Sequence, residues 1–209
     1  MHPVRIRAAR GFTLVELAVT LAVLAILLGL GVPAMQRWIV ASKARTAAGF
    51  YAEGLNIARQ EAMRRNGASR LVLVANDANG QYDWRVDICL PTAELECGPE
   101  SGVWSTATSV AGGDAVDGFR SVFRSSVGLP RSSVMVTSRT PEDSDTVYFD
   151  ARGWVNTSVD GNLASLQFAP ATGFESAFPT SALQISLGGT AIVCDPSITD
   201  VSDSRACPQ

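Results

Sequence analysis

One carboxylate, Glu16, interrupts an otherwise apolar run from Phe12 to Val32. On insertion scales a charged side chain in such a run costs about 2.5–3.5 kcal/mol. A partner of opposite charge best explains its presence, so the chemistry it points to is ion pairing in hydrocarbon. Catalytic chemistry is poorly supplied by comparison. The sole histidine is His2, among the basic residues Arg5, Arg7 and Arg10. Once that leader is removed, no imidazole remains for acid–base work, nucleophile activation or zinc. Carboxylate chemistry stays possible, but nothing in the spacing points to a glycosidase-type pair. No catalytic residue is assigned.

Cys89, Cys97, Cys194 and Cys207 form the second set. With no Cys-x-x-Cys spacing and no histidine beyond His2, a zinc site is not supported. Disulfides are the expected chemistry in an oxidising compartment, and four cysteines allow three pairings that sequence cannot choose between. Three oxygen-rich clusters invite calcium: Asp77, Asn79 and Gly80; Glu142, Asp143 and Asp145; Asp195, Asp200 and Asp203. None has the twelve-residue loop closed by glutamate, and such clusters are ordinary turn chemistry. No metal or cofactor is expected.

These residues sit on elements that the sequence outlines. Met1–Gly11 is basic and free of acids, and the 21 residues Phe12–Val32 would span about 31 Å as a helix. Arginines before the span and none within it put the N-terminus in the cytoplasm and the bulk of the chain across the membrane. A cleavable secretory signal is the alternative, with Val32-Pro33-Ala34 as a tolerable cleavage site. Glu16 argues against it, since a disposable signal has no use for a buried acid.

Pro33 lacks an amide hydrogen and should kink the helix without ending it, with Gly29 and Gly31 loosening the same turn. Met35–Asn66 reads as a long amphipathic helix. Its broken apolar stripe is Met35, Trp38, Ile39, Ala47, Phe50, Gly54, Ile57 and Ala58, and Asn66-Gly67 closes it. Strands follow: 70–75, a hairpin turn at 76–80, then 82–88, 119–124, 133–137, 146–150, 163–168, 183–187 and 191–193. Helix first and strands afterwards argue α+β, a long N-terminal helix packed on an antiparallel β-sheet.

The total of 209 residues allows one domain plus an anchor. Net charge is −3, but without the leader arginines 14 basic residues face 20 acidic ones. A body near −6 is a poor general nucleic-acid binder.

Gly11-Phe12-Thr13-Leu14-Val15-Glu16-Leu17 resembles the prepilin processing motif of type IV pilins and type II secretion pseudopilins. The resemblance implies cleavage between Gly11 and Phe12 by a membrane peptidase and N-methylation of Phe12. It makes Glu16 the assembly glutamate and Pro33 the helix-bending proline. Physics agrees independently: Gly11 leaves the scissile bond uncrowded. The new amine at Phe12 would lie one turn from Glu16, and an amine and a carboxylate lower each other's cost in hydrocarbon. Pairing between subunits would fix the axial register of a filament.

Ala58-Arg59-Gln60-Glu61-Ala62 resembles the helix end of H-type pseudopilins and FimT/FimU minor pilins. Arg59, Arg64 and Arg65 then read as a solvated helix face, with Arg59 and Glu61 among charges for neighbouring subunits or loops. Tyr148–Val155 resembles the same family's aromatic-plus-glycine strand turn. Among the three cysteine pairings, Cys89–Cys97 with Cys194–Cys207 is favoured: each closes a short loop, and a C-terminal disulfide loop resembles what many pilins carry. Some FimT-like minor pilins bind DNA through a Gly-Arg-x-Arg motif just before the C-terminal cysteine. Here the stretch is Gly189-Thr190-Ala191-Ile192-Val193-Cys194, with both arginines replaced, so neither position can neutralise a phosphate.

The expected organisation is a leader at 1–11, a transmembrane and filament-core helix at 12–33, an amphipathic helix at 34–67 and a β-rich head at 68–209. The resemblance implies a minor structural subunit of a pilus or secretion pseudopilus, anchored once in the bacterial inner membrane with its head periplasmic. Its partners would be other pilins, a prepilin peptidase, an assembly platform and, before assembly, membrane lipid. A soluble periplasmic module beginning at Met35 and a DNA-uptake pilin are the competing readings.

Overall fold

The structure, a computed structural model, describes residues 13–90, 97–98, 103–105, 121–200 and 202–208. The two predicted helices form one element, α1 (Leu14–Arg65), whose helical assignment passes through Pro33. The chain divides after Ile39 into two units. In the first, the helix starts with a capping box: the Glu16 amide donates to Thr13 Oγ1 at 3.2 Å while the Thr13 amide reaches Glu16 Oε2 at 3.4 Å. Leu14–Val32 is long and apolar enough to cross a membrane, and its side chains are exposed.

The second unit begins at Val40. Here α1 buries Ala41, Ala44, Ala48, Tyr51, Leu55, Ala58 and Ala62. The steps alternate between three and four residues, so one face stays turned to the core. This stripe differs from the one read from hydropathy. Met35, Trp38 and Ile39 are exposed, and the contact face consists mostly of alanine. Alanine scores weakly as a hydrophobe, yet it lets the helix backbone approach a sheet closely. Gly54 carries this furthest, since a Cβ there would lie 2.8 Å from both Leu71 Cδ1 and Trp84 Cδ2. The helix ends as a Schellman turn. Asn66 takes φ 50°, its amide bonds Met63 O, and the Gly67 amide bonds Ala62 O.

Among the described residues nine strands follow: β1 (Ser69–Asn76), β2 (Gln81–Leu90), β3 (Val103–Trp104), β4 (Val122–Arg124), β5 (Met135–Thr140), β6 (Thr146–Phe149), β7 (Ser165–Pro170), β8 (Ser181–Ile185) and β9 (Ala191–Cys194). They form two antiparallel sheets. The first has the order β3-β2-β1-β6, with β4 sharing the outer edge of β2 with β3. The second runs β5-β7-β8-β9. Strand β3 has no counterpart in the sequence reading, and the predicted residues 119–120 lie outside the described residues.

Both sheets lean on the same half of α1. Leu71, Trp84, Val86 and Phe149 come from the first sheet, while Met135, Leu166, Phe168 and Leu183 come from the second. Tyr51 stacks on Phe168 with ring centroids 5.5 Å apart and donates its hydroxyl to Tyr82 O at 2.9 Å. Trp84 Nε1 donates to Phe50 O and Ser69 Oγ to Ala58 O, so buried polar atoms of the sheet find acceptors on the helix. The seam between the sheets is polar. Gln81 Nε2 donates to Met135 O at 2.7 Å and Pro130 O at 3.0 Å, and Thr137 Oγ1 donates to Gln81 Oε1.

Candidate functional site

Glu16 lies at the N-terminal end of the exposed apolar helix, in its first turn. Its carboxylate receives the Thr13 amide and hydroxyl, which suits the positive end of a helix dipole. Gly11 and Phe12, the expected cleavage and methylation positions, lie outside the described residues. The site can hold one carboxylate in a defined place at the head of a lipid-compatible helix. Among the described residues, no group of three His, Cys, Asp or Glu is arranged to hold a metal.

The four cysteines form two bonds, Cys89–Cys97 and Cys194–Cys207. The first ties the end of β2 to the segment before β3. The second fastens the tail to β9, where Asp195 and Ala206 also form a parallel bridge.

The acids of the C-terminal cluster, Asp195, Asp200 and Asp203, serve their own turns. Asp195 accepts the Ser197 hydroxyl and amide, and Asp200 accepts those of Ser202. Asp203 accepts the Arg205 side chain and amide, which pull its pKa down to about 2. Asn79 is buried and donates to Ser126 O, so the hairpin turn is anchored rather than presented as a ligand loop.

Arg59 departs from the expected solvated face. It is half-buried, and its Nε donates to Gly153 O at 3.2 Å. The partner is a loop of its own chain, in the turn that the Tyr148–Val155 resemblance singled out. Two glycines make room for it. Gly153 at φ 78° and Gly189 at φ 74° both adopt the left-handed region. A Cβ on Gly153 would lie 3.0 Å from Arg59 Cγ, and one on Gly189 would lie 3.3 Å from Arg59 Cδ. Glu61 instead pairs with Arg64 and Arg65. Burial raises the Glu61 pKa, but hydrogen bonds from Arg64 and then Arg65 outweigh it, leaving the value below normal.

Two buried acids on β2, Asp83 and Asp87, are not among the residues that the sequence singles out. Asp87 is fully buried and meets Arg70, Arg85 and the Ser121 hydroxyl. Ser121 also pairs with Ser105, so the residue before β4 links the residue after β3 to this carboxylate. Above Arg70, the Trp104 ring lies 4.2 Å from the guanidinium carbon. Asp83 accepts the Ser126 amide and the side chains of Asn76, Ser125 and Ser126. Alternating acids and arginines on one strand face are the only local signal of such a network.

An exposed apolar helix headed by one capped acid, leading into a helix-backed pair of antiparallel sheets, defines a pilin-like subunit. Residues 6–32 match the prokaryotic N-terminal methylation motif, and residues 47–191 match the model for type II transport protein GspH. The chain belongs to the GspH family, whose members are minor pilins and pseudopilins. No curated protein matches it. Among solved structures it is similar to the type IV minor pilin FimU of Pseudomonas aeruginosa strain PAO1, with 16% identity and a TM-score of 0.40 over 75% of this chain and 92% of that one.

Proposed function

We propose that this chain is made as a single-pass precursor, cut between Gly11 and Phe12 by a prepilin peptidase, methylated at Phe12 and drawn into a pilus or pseudopilus as a minor, non-enzymatic subunit. The observation that carries this reading is Glu16, capped by Thr13 at the head of an apolar helix whose side chains are exposed. Before assembly the helix is solvated by lipid, and the capping box satisfies the carboxylate locally. On assembly the helix exchanges lipid for neighbouring helices. Glu16 exchanges part of its capping bond for the Phe12 amine of an adjacent subunit, and this fixes the stagger. Pro33 bends the helix where it leaves the bilayer.

Positive residues ahead of the span support a cytoplasmic N-terminus and a periplasmic head. Two disulfides in the head support an oxidising compartment. Mass spectrometry of the N-terminal peptide from membranes with the processing enzyme tests the proposal. The expected species begins with N-methylated Phe12. A chain beginning at Met35, or one retaining Met1–Gly11, would rule it out.

A further inference from the structure

We infer that the surface around Arg59 is a docking point for a carboxylate on the head of a neighbouring pilin-like subunit; this rests on the filament reading above. Arg64, Arg70, Arg85, Arg124 and Arg152 each meet a carboxylate, while Arg139 spends its guanidinium on Ser144 O and the Tyr82 ring. Among the described residues Arg59 meets no carboxylate, and its one hydrogen bond is the Nε donation to Gly153 O. A guanidinium carries five N–H donors, so four are left for another acceptor. The carboxylate in the adjoining turn, Asp150, is already taken by the Arg152 side chain and the amides of Arg152 and Trp154.

The side chain is also held in place. Its stem passes Gly153 and Gly189, where two left-handed glycines leave space that any Cβ would fill. A held cation with unspent donors loses little freedom on binding, and planar bidentate pairing with a carboxylate is what a guanidinium does best.

The rim is apolar. Met63, whose Cγ would lie 2.9 Å from a Cβ on Gly153, is 41% exposed. Trp154 follows Gly153 and is 54% exposed, and Leu187 is 70% exposed in the turn that carries Gly189. The Val155 amide bonds Leu187 O, which joins the two turns. Arginine, tryptophan and methionine are the types enriched in interface centres. The charge balance names the occupant. Beyond the leader the chain is acidic, and exposed acids such as Glu142, Asp143 and Asp145 are what a related head offers.

The test places a photo-crosslinking amino acid at Leu187 in the full chain, in cells that assemble the filament. The expected adduct joins this chain to another pilin-like subunit, identified by mass spectrometry. Arg59→Gln lowers its yield by at least about tenfold, since removing one member of a desolvated charge pair is costly. Because Arg59→Gln also loses the bond to Gly153, a second variant, Leu187→Asp, keeps that bond and adds a repelling charge. With the crosslinker moved to Met63, it gives the same loss. A wild-type adduct that survives both variants, an adduct to nucleic acid only, or no adduct from a chain that still enters filaments overturns the inference and leaves the filament reading intact. Failure of the wild-type chain to enter filaments at all removes both.

Discussion

Thr137 donates its hydroxyl to Gln81 Oε1 across 2.6 Å, joining the second strand of one sheet to the first strand of the other. Gln81 is 1% exposed, and its amide nitrogen is spent on Met135 O and Pro130 O. Every polar atom of the side chain is therefore satisfied at the seam between the sheets. Such a seam holds two sheets in one register against a single helix, giving the head one arrangement to present to neighbours.

Gln81→Ala strands the Thr137 hydroxyl and two carbonyls in a dry place. The expected loss is about 1–3 kcal/mol, read as a lower denaturation midpoint of the purified full chain. Gln81→Glu should also destabilise, because the two carbonyls would then face an acceptor instead of a donor.

Gly189→Ala tests the close approach at Arg59. The new Cβ would collide with the Gly153 carbonyl and need φ 74°. Strain of about 1–3 kcal/mol is expected from the backbone alone, and more from the displaced turn. By contrast, Gly128→Ala has nothing within 4 Å of its Cβ and should be nearly silent in the same melt.

Asp83 makes the head acid-sensitive. Burial pushes its pKa up, but the Ser126 amide and then the Asn76, Ser126 and Ser125 side chains outweigh this and hold it below the usual carboxylate value. A depressed folded pKa contributes stability above the unfolded value of about 3.9 and loses it as pH falls toward the folded one. The stability gap between wild type and Asp83→Ala should thus be full at pH 6 and narrow below about pH 4. A gap that is unchanged at low pH would show that the charge is irrelevant.

Much of this architecture was legible because its signals are local. The β1–β2 hairpin announces itself through alternation and a turn ending in Gly80 at φ 70°. The Asn66-Gly67 stop depends on residues within one turn of helix. What was not legible depends on partners far along the chain. Strand β3 is two residues long and exists because Trp104 covers Arg70 and pairs with Cys89. The division into two sheets depends on Gln81 reaching residues 49 and 54 positions away. Arg59 looked like surface because its acceptor, Gly153 O, is 94 positions distant. The stripe is right at Ala47, Gly54 and Ala58, which are buried, and fails at Met35, Trp38 and Ile39, which are exposed.

The two disulfides make a separate prediction. Reduction should lower the unfolding midpoint, by an amount consistent with about 3 kcal/mol for each short loop closed. Denatured, unreduced chain should take up no thiol reagent, since no cysteine is free. Peptide mapping should return Cys89 with Cys97 and Cys194 with Cys207.

Incorporation of Glu16→Ala into filaments, quantified beside wild type in cells containing the processing and assembly machinery, probes the central claim most directly. The variant should be membrane-inserted and cleaved to Phe12, yet depleted from sheared filaments by at least about tenfold, in keeping with loss of an ion pair in hydrocarbon. Filaments that take up the variant as readily as wild type would contradict the account.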